Sequence, residues 1–324
     1  MTETETYRQA KNIFDKVMNS MRKTIIGQDE VIEDMIISIV TGSHALLEGY
    51  PGLGKTMMIR ALAQTLDLKF SRVQCTPDLM PSDITGTYII EEEQKTGKKV
   101  FRFQEGPIFA NIVLADEINR ATPKTQSALL EAMQEKQVTV GNNTFCLDLP
   151  FFVLATQNPL EMEGTYPLPE AQLDRFLLKL MVQYPKFEDE GKIVELYTGE
   201  SVPQPQKILS KDLIIDLGKL ARMMPVSNEM REYVMRIVVA TRPGKENKAA
   251  SQYLEYGASS RAGIGIVLAA KARALLHGNN YVSKADIEAM AFPVLRHRLI
   301  LNFESEREGI KTDDVTKMIL DSVR

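Results

Sequence analysis

The sequence predicts an α/β fold built on a parallel sheet, followed by a smaller helical region. Three observations carry this. Short continuous apolar runs alternate with amphipathic stretches through the first half of the chain, the pattern of a sheet covered on both faces. A glycine-rich turn ending in Lys55-Thr56 joins one such run directly to a helical stretch. After Pro185 the strand pattern stops and helical spacing takes over.

His44 to Glu48 reads as the first strand, and Lys55 to about Leu66 as the helix that follows it. Lys69–Gln74, Ile112–Asp116, Phe151–Thr156 and Phe176–Val182 supply four more strands, making a five-stranded parallel sheet. Thr122–Glu135 has helical spacing, with Leu129, Leu130 and Met133 on one face. Two segments break the rhythm as β-hairpins: Tyr88–Ile90 with Val100–Phe103 around Lys95-Thr96-Gly97-Lys98, and Val138–Val140 with Thr144–Leu147 around Gly141-Asn142-Asn143. The Pro- and Gln-rich run Gly199–Lys211 reads as a linker or long loop. Helices are expected over Leu213–Met223, Glu229–Thr241, Arg261–His277, Lys284–Leu301 and Val315–Val323, with a polar, mobile stretch at Pro243–Ser260. The division this suggests is an α/β domain over residues 1–185, with a short N-terminal helix, and a helical domain over 186–324.

Composition removes several classes of function. Of 324 residues, 44% are hydrophobic and 25% charged, so the chain has ample apolar surface for a core and is not disordered. A net charge of −4 gives no global attraction for a phosphate backbone. Met35–Leu47, the longest uncharged run, is too short and too polar to span a bilayer, and the acidic start Met1–Thr6 lacks the apolar core of a signal peptide. Cys75 and Cys146 form no CxxC, which fits a reduced, cytoplasmic setting.

Gly49-Tyr50-Pro51-Gly52-Leu53-Gly54-Lys55-Thr56 fits G-x-x-x-x-G-K-[ST] and stands between a strand and a helix, where that motif works. Its glycines let backbone N–H groups curl around phosphate oxygens, and the helix N-terminus adds positive potential. Lys55 is then the cation for the β- and γ-phosphates, and the Thr56 hydroxyl a ligand for Mg²⁺. Ile112–Glu117 is an apolar strand ending in two carboxylates: Asp116 to orient the Mg²⁺ hydration shell, Glu117 to polarise a water for in-line attack. Asn158, in Ala155–Pro159, ends the next strand with an amide able to bond the γ-phosphate or the attacking water; Asn-Pro is also an ordinary turn signal.

Together these motifs carry a resemblance. GYPGLGKT, VLADEINRATPKTQSALLEAMQE, ATQNP, GTYPLPEAQLDRF and GASSRA look like those of a MoxR-type AAA+ ATPase, spanning residues 49–262. The resemblance implies an AAA+ P-loop core with two inserted hairpins and an all-helical lid, in the group of magnesium-chelatase ATPase subunits and MCM-type helicases. It implies ATP and Mg²⁺ as ligands, assembly of the chain as a homo-oligomeric ring, usually a hexamer, and partners carrying von Willebrand factor A domains. By the same resemblance Arg175, in Leu173-Asp174-Arg175-Phe176, is the arginine finger offered to a neighbouring subunit's ATP; local pairing with Asp174 or Glu170 is the alternative. Arg261 matches the lid arginine called sensor 2, with Ser259 or Ser260 capping the helix it opens; the family commonly has Pro where this chain has Ser260. Ile26, Gly27 and Gln28 match the segment that lines the adenine pocket.

Other features read as structural. His44, His277 and His297 are not at metal spacing, and the paired methionines Met57-Met58 and Met223-Met224 fill core. Arg296 and Arg298 are expected to satisfy carbonyls at a helix end, with nucleotide contact as the alternative. Glu91-Glu92-Glu93 with Lys95, Lys98 and Lys99 make a solvated hairpin tip or a client contact, and the second hairpin carries no charge. The functional expectation is a Mg²⁺-dependent ATPase that remodels protein partners. Its rivals are a DNA-acting motor, disfavoured by charge, and a metal-chelatase motor subunit.

Overall fold

A computed structural model describes residues 3–92, 98–158, 164–245 and 247–323. Glu93, Lys95, Thr96 and Gly97 of the first hairpin's tip, and Pro159 after Asn158, lie outside the described residues.

Helices α1 (Glu3–Arg22) and α2 (Asp29–Val40) precede β1 (His44–Gly49), and the glycine turn leads into α3 (Lys55–Thr65) and β2 (Phe70–Gln74). A short α4 (Pro81–Thr85) opens the first hairpin, β3 (Gly86–Glu92) and β4 (Lys99–Glu105), before β5 (Ile112–Asp116). A 3₁₀ turn (Ile118–Arg120) and α5 (Pro123–Glu135) lead to the second hairpin, β6 (Gln137–Val140) and β7 (Asn143–Cys146). Then come β8 (Phe152–Gln157), the single turn α6 (Glu170–Leu173) and β9 (Phe176–Val182). The remainder comprises α7 (Phe187–Thr198), α8 (Lys211–Met223), α9 (Asn228–Ala240), α10 (Lys248–Tyr253), β10 (Leu254–Tyr256), α11 (Ser260–Leu276), α12 (Lys284–Leu295), β11 (Ile300–Leu301), α13 (Phe303–Glu308) and α14 (Thr312–Ser322).

The central sheet has the order β2-β5-β8-β1-β9, and every pairing in it is parallel. All five carboxyl ends therefore share one edge, where open α/β sheets bind ligands. Period-2 alternation sends neighbouring residues to opposite faces. Leu47, Leu114 and Leu154 join a core with α1, α2, α3 and the C-terminal helices, while Leu46, Val113 and Val153 join a second core with α5 and the bases of the hairpins.

Each hairpin pairs antiparallel within itself. They are joined to one another by Phe103 stacked on Phe145, with ring centroids 4.1 Å apart, and by the Asn143 amide donating to the Tyr88 hydroxyl. Beyond that contact the same face of the first hairpin presents Ile90 and Phe101, 61% and 76% exposed.

Several local expectations change. The N-terminal helix is not short: α1 runs for 20 residues and buries Tyr7, Phe14, Val17, Met18 and Met21 in the core it shares with the lid. The Pro-rich run Gly199–Lys211 is a loop, but a pinned one. Thr24 donates to the Pro203 carbonyl (3.0 Å), Gln206 N–H donates to the Ser20 hydroxyl (3.0 Å), Ile208 N–H donates to the Thr65 carbonyl (2.9 Å), and Lys211 pairs with Asp148. The stretch Pro243–Ser260 contains α10 and β10, and β10 pairs with β11 to give the otherwise helical lid one small sheet. The helix expected over Lys284–Leu301 ends at Leu295, and α2, α4, α6, α7, α10 and α13 form where no helix is expected. Among the described residues no helix is long and apolar enough to cross a membrane, and no group of three His, Cys, Asp or Glu is placed to hold a metal ion.

Candidate nucleotide site

The turn after β1 is shaped by its glycines. A Cβ at Gly49 would stand 2.8 Å from the Val182 carbonyl, and Gly54, at φ +71°, takes the left-handed conformation just before α3 begins at Lys55. A cleft of 480 Å³ opens there, lined by Pro51–Met57, Arg72, Asp116, Glu117 and Asn158. The middle of β2 and the carboxyl ends of β1, β5 and β8 thus supply one site. Lys55 folds back to donate to the Gly49 carbonyl at 2.5 Å. Partial burial holds its pKa below the usual lysine value, an effect opposed by the carboxylates of Asp116, Glu117 and Glu48.

The two carboxylates differ in environment. Asp116 accepts from Arg72, Nη2 at 2.6 Å and Nε at 3.1 Å, and from the Thr156 hydroxyl at 2.6 Å. That hydroxyl also accepts the Glu117 N–H at 2.8 Å, tying the ends of β5 and β8 together. Glu117 sits in the left-handed region (φ 57°), uncommon for a residue with a side chain, and its carboxylate meets Arg120 at 2.9 Å. Burial beside both carboxylates pushes the Cys75 thiol up to about 12, so this cysteine is no nucleophile.

Ile26–Gln28 approaches from the side of α7. Gln28 donates to the Gln183 carbonyl (2.9 Å), and a Cβ on Gly27 (φ +77°) would stand 3.2 Å from the Asp189 carboxylate. Tyr197 of α7 donates to the Thr24 carbonyl (2.9 Å) and reaches the Met57 sulfur (3.2 Å), which sets this segment beside the cleft without making it part of the lining given above. Tyr50 stacks on Tyr184 at 5.6 Å.

Arg175 and Arg261 are elsewhere. Arg175 immediately precedes β9, and Phe176 pairs with His44 at the start of β1, so Arg175 lies at the amino edge of the sheet. The six residues of β1 at roughly 3.3 Å each set about 20 Å between that edge and the phosphate-loop turn. Arg261 joins it there. Ser259 caps α11 by accepting the Arg261 N–H, and the Arg261 guanidinium meets Asp174 at 3.0 Å. Both arginines line a second cleft of 330 Å³ with Ser43, His44, Lys136 and Arg298. The four residues expected to share the chemistry are therefore split, Glu117 with Asn158 at one edge and Arg175 with Arg261 at the other. Of the two local partners expected for Arg175, the Asp174 carboxylate is engaged by Arg298 (2.7 Å) and Arg261.

Arg296 and Arg298 behave as the structural reading expects. Arg296 pairs with Asp313 and donates to the Lys179 carbonyl; Arg298 donates to the carbonyls of Phe176, Leu177 and Val294. His44 is structural too. Its Nδ1 accepts the Val153 N–H while Nε2 faces the Met133 carbonyl, and burial lowers its pKa to about 4.

Arg72 and Arg120 escaped the sequence reading. A lone arginine on an edge strand and another after an acidic pair carry no motif; only the register of β2 on β5, Gln74 opposite Asp116, brings Arg72 to the site.

The P-loop at the carboxyl edge of a five-stranded parallel sheet, with a helical lid after it, defines an AAA-type ATPase. Residues 44–178 match the family model for the ATPase family associated with various cellular activities, and residues 246–319 match the AAA lid domain. The chain is 42% identical to Chaperone MoxR1 of Mycobacterium tuberculosis over 95% of this chain and 81% of that one. It is 29% identical to Protein MoxR of Methylorubrum extorquens over 95% of this chain and 93% of that one. The crystal structure of a protein described as a candidate ATPase from Cytophaga hutchinsonii superimposes with a TM-score of 0.91 at 44% identity, covering 99% of this chain and 97% of that one. The chain belongs to the MoxR family of AAA+ ATPases.

Proposed function

We propose that this chain is a Mg²⁺-dependent ATP hydrolase that assembles into a ring, a hexamer by family pattern, and uses hydrolysis to remodel or mature protein partners in the cytoplasm. The observation that carries it is the division of the site between the two edges of one sheet. A phosphate loop with a carboxylate pair lies at one edge, and Arg175 with Arg261 lies about 20 Å away at the other, by strand rise. A single subunit cannot bring these together across its own sheet; a neighbour packed head-to-tail can.

Lys55 holds the β- and γ-phosphates, helped by the backbone N–H groups of Gly52–Thr56. Glu117 accepts a hydrogen bond from the attacking water, which Asn158 orients from the end of the next strand. Thr56, Asp116 and Glu117 offer hard oxygen donors in one cleft, the donor chemistry that suits Mg²⁺, with Thr56 and Asp116 holding it through water. When bound, the ion neutralises charge on the phosphates. The neighbour's Arg175 and Arg261 add fixed positive charge at the γ-phosphate as negative charge redistributes. Ile26, Gly27 and Gln28 take the base. Residues 1–185 form the nucleotide-binding domain and 186–324 the lid.

A protein client is supported by the hairpin unit, whose free face is apolar at Ile90 and Phe101 and whose Arg102 is paired with Glu91 at 3.1 Å. The name of the Mycobacterium tuberculosis relative, a chaperone, agrees with this. Clients with von Willebrand factor A domains follow from the family. Arg175→Ala tests the reading: binding of a fluorescent ATP analogue should stay near wild type while steady-state turnover collapses. Loss of binding in step with turnover would place Arg175 in its own subunit's site and sink the proposal.

A further inference from the structure

At the amino edge one carboxylate is shared by two arginines from different elements. Asp174 lies between α6 and β9, and its side chain is only 18% exposed. Its Oδ1 accepts from Arg298 Nε at 2.7 Å, and its Oδ2 accepts from Arg261 Nη1 at 3.0 Å. The two partners are unlike. Arg298 follows α12, is 6% exposed and is anchored further to the Phe176 carbonyl at 2.8 Å; Arg261 opens α11 and is 70% exposed. Arg175 is bonded directly to both Asp174 and Phe176 along the chain. One buried anchor therefore fixes the backbone that presents Arg175 and, through the same carboxylate, the tip of Arg261.

We propose that Asp174 is the positioning residue of the Arg175–Arg261 pair, holding both guanidinium groups on one cleft so that they meet a neighbouring subunit's γ-phosphate together. This rests on the reading of those arginines as acting between subunits. An exposed arginine alone samples many rotamers, and ordering it at the moment of reaction costs conformational entropy. A carboxylate held by a buried guanidinium restricts that search beforehand, which is where an electrostatic contribution to catalysis comes from. The shared carboxylate also makes the lid and the loop before β9 a single unit, because Arg261 and Arg298 both belong to the lid while Asp174 belongs to the core.

Asp174→Asn tests this with little change of shape. An amide can accept from one arginine but turns a donor toward the other. Expected are a fall in kcat of about tenfold or more, a KM for MgATP within about twofold, and partial restoration by Asp174→Glu, which keeps the charge. The decisive arm is mixing with Lys55→Ala subunits, which keep Asp174 intact but cannot hold ATP. Activity should return, because each Asp174→Asn phosphate loop can then face an unaltered arginine pair. Wild-type kcat, a defect confined to KM, or no recovery while Arg175→Ala does recover with Lys55→Ala would each overturn the proposal. If neither mixture recovers although the subunits exchange, the reading between subunits fails, and this assignment with it. Should Asp174→Asn fail to fold because Arg298 is left buried without its carboxylate, the pair Asp174→Asn/Arg298→Gln removes that charge. Its kcat, kinetic split and mixing behaviour are then judged by the same outcomes.

Discussion

The two edges of the sheet carry opposite equipment. At the carboxyl edge Asp116, Glu117 and Glu48 surround Lys55, and the glycine turn leaves room for a ligand. At the amino edge Lys136, Arg175, Arg261 and Arg298 line a cleft whose one carboxylate is Asp174. One edge carries the phosphate loop with its carboxylates; the other is a cationic surface. Complementary, non-identical surfaces on opposite sides of one chain generate head-to-tail association, which closes into a ring when the rotation per subunit permits. On the function proposed above, each chain supplies half of two sites, and a second copy completes each.

That comparison breaks in graded ways. The largest effect belongs to the carboxyl edge. Glu117→Gln should bind MgATP with near wild-type affinity yet lose about 10³-fold or more in kcat, because a carboxamide cannot polarise the water; single-turnover hydrolysis against equilibrium binding reads the split. Lys55→Ala should fail earlier, losing most nucleotide affinity. At the amino edge Arg175→Ala should cost about 10³-fold in turnover with binding retained. Arg261→Ala should cost about tenfold to a hundredfold, because its exposed guanidinium is shared with the Asp174 carboxylate.

A smaller effect separates architecture from chemistry. His44 sits between the second core and the amino-edge cleft, and it refuses a proton until about pH 4. The unfolded chain takes that proton near the ordinary histidine value, so at this residue the unfolded state binds more protons between about pH 6.5 and 4, and its contribution to stability falls as pH falls. Across that window the difference amounts to about 3 kcal/mol. Urea melts from pH 7 to 4 should show a shallower loss in His44→Gln than in the wild type. The smallest effect is expected from DNA. Long single- or double-stranded DNA at low salt should change turnover by less than about twofold, since the first hairpin's Arg102 is paired and the second hairpin is uncharged. Stimulation of several-fold that collapses with salt would favour the helicase-like rival.

How much was legible follows the same line. The phosphate loop is eight consecutive residues, and Asp116, Glu117 and Asn158 end apolar strands, so contiguous pattern suffices at the carboxyl edge. Sheet, hairpins and most helices were visible because their periodicities are local. The amino edge is assembled from residues spread between Gly42 and Arg298, and no spacing announces that Arg298 and Arg261 converge on Asp174. Resemblance nominated Arg175 and Arg261, yet their separation from the phosphate loop appeared only with the register of β9 on β1. Short helices such as α10 and α13 were missed because six residues hold too few turns to show a period. The loop 199–211 looks unconstrained in the sequence because, apart from Lys211, its anchors are backbone groups, which sequence does not display.

If a working site needs two copies of the chain, mixing two differently defective variants should rebuild it. Arg175→Ala subunits keep the phosphate loop, and Lys55→Ala subunits keep the arginines; each alone should be nearly inactive. With random mixing in equal amounts, roughly a quarter of interfaces join an intact loop to an intact arginine edge. Steady-state ATPase should rise on mixing well above the sum of the separate proteins, in proportion to subunit exchange followed by fluorescence transfer. Full exchange with no gain in activity would contradict the account.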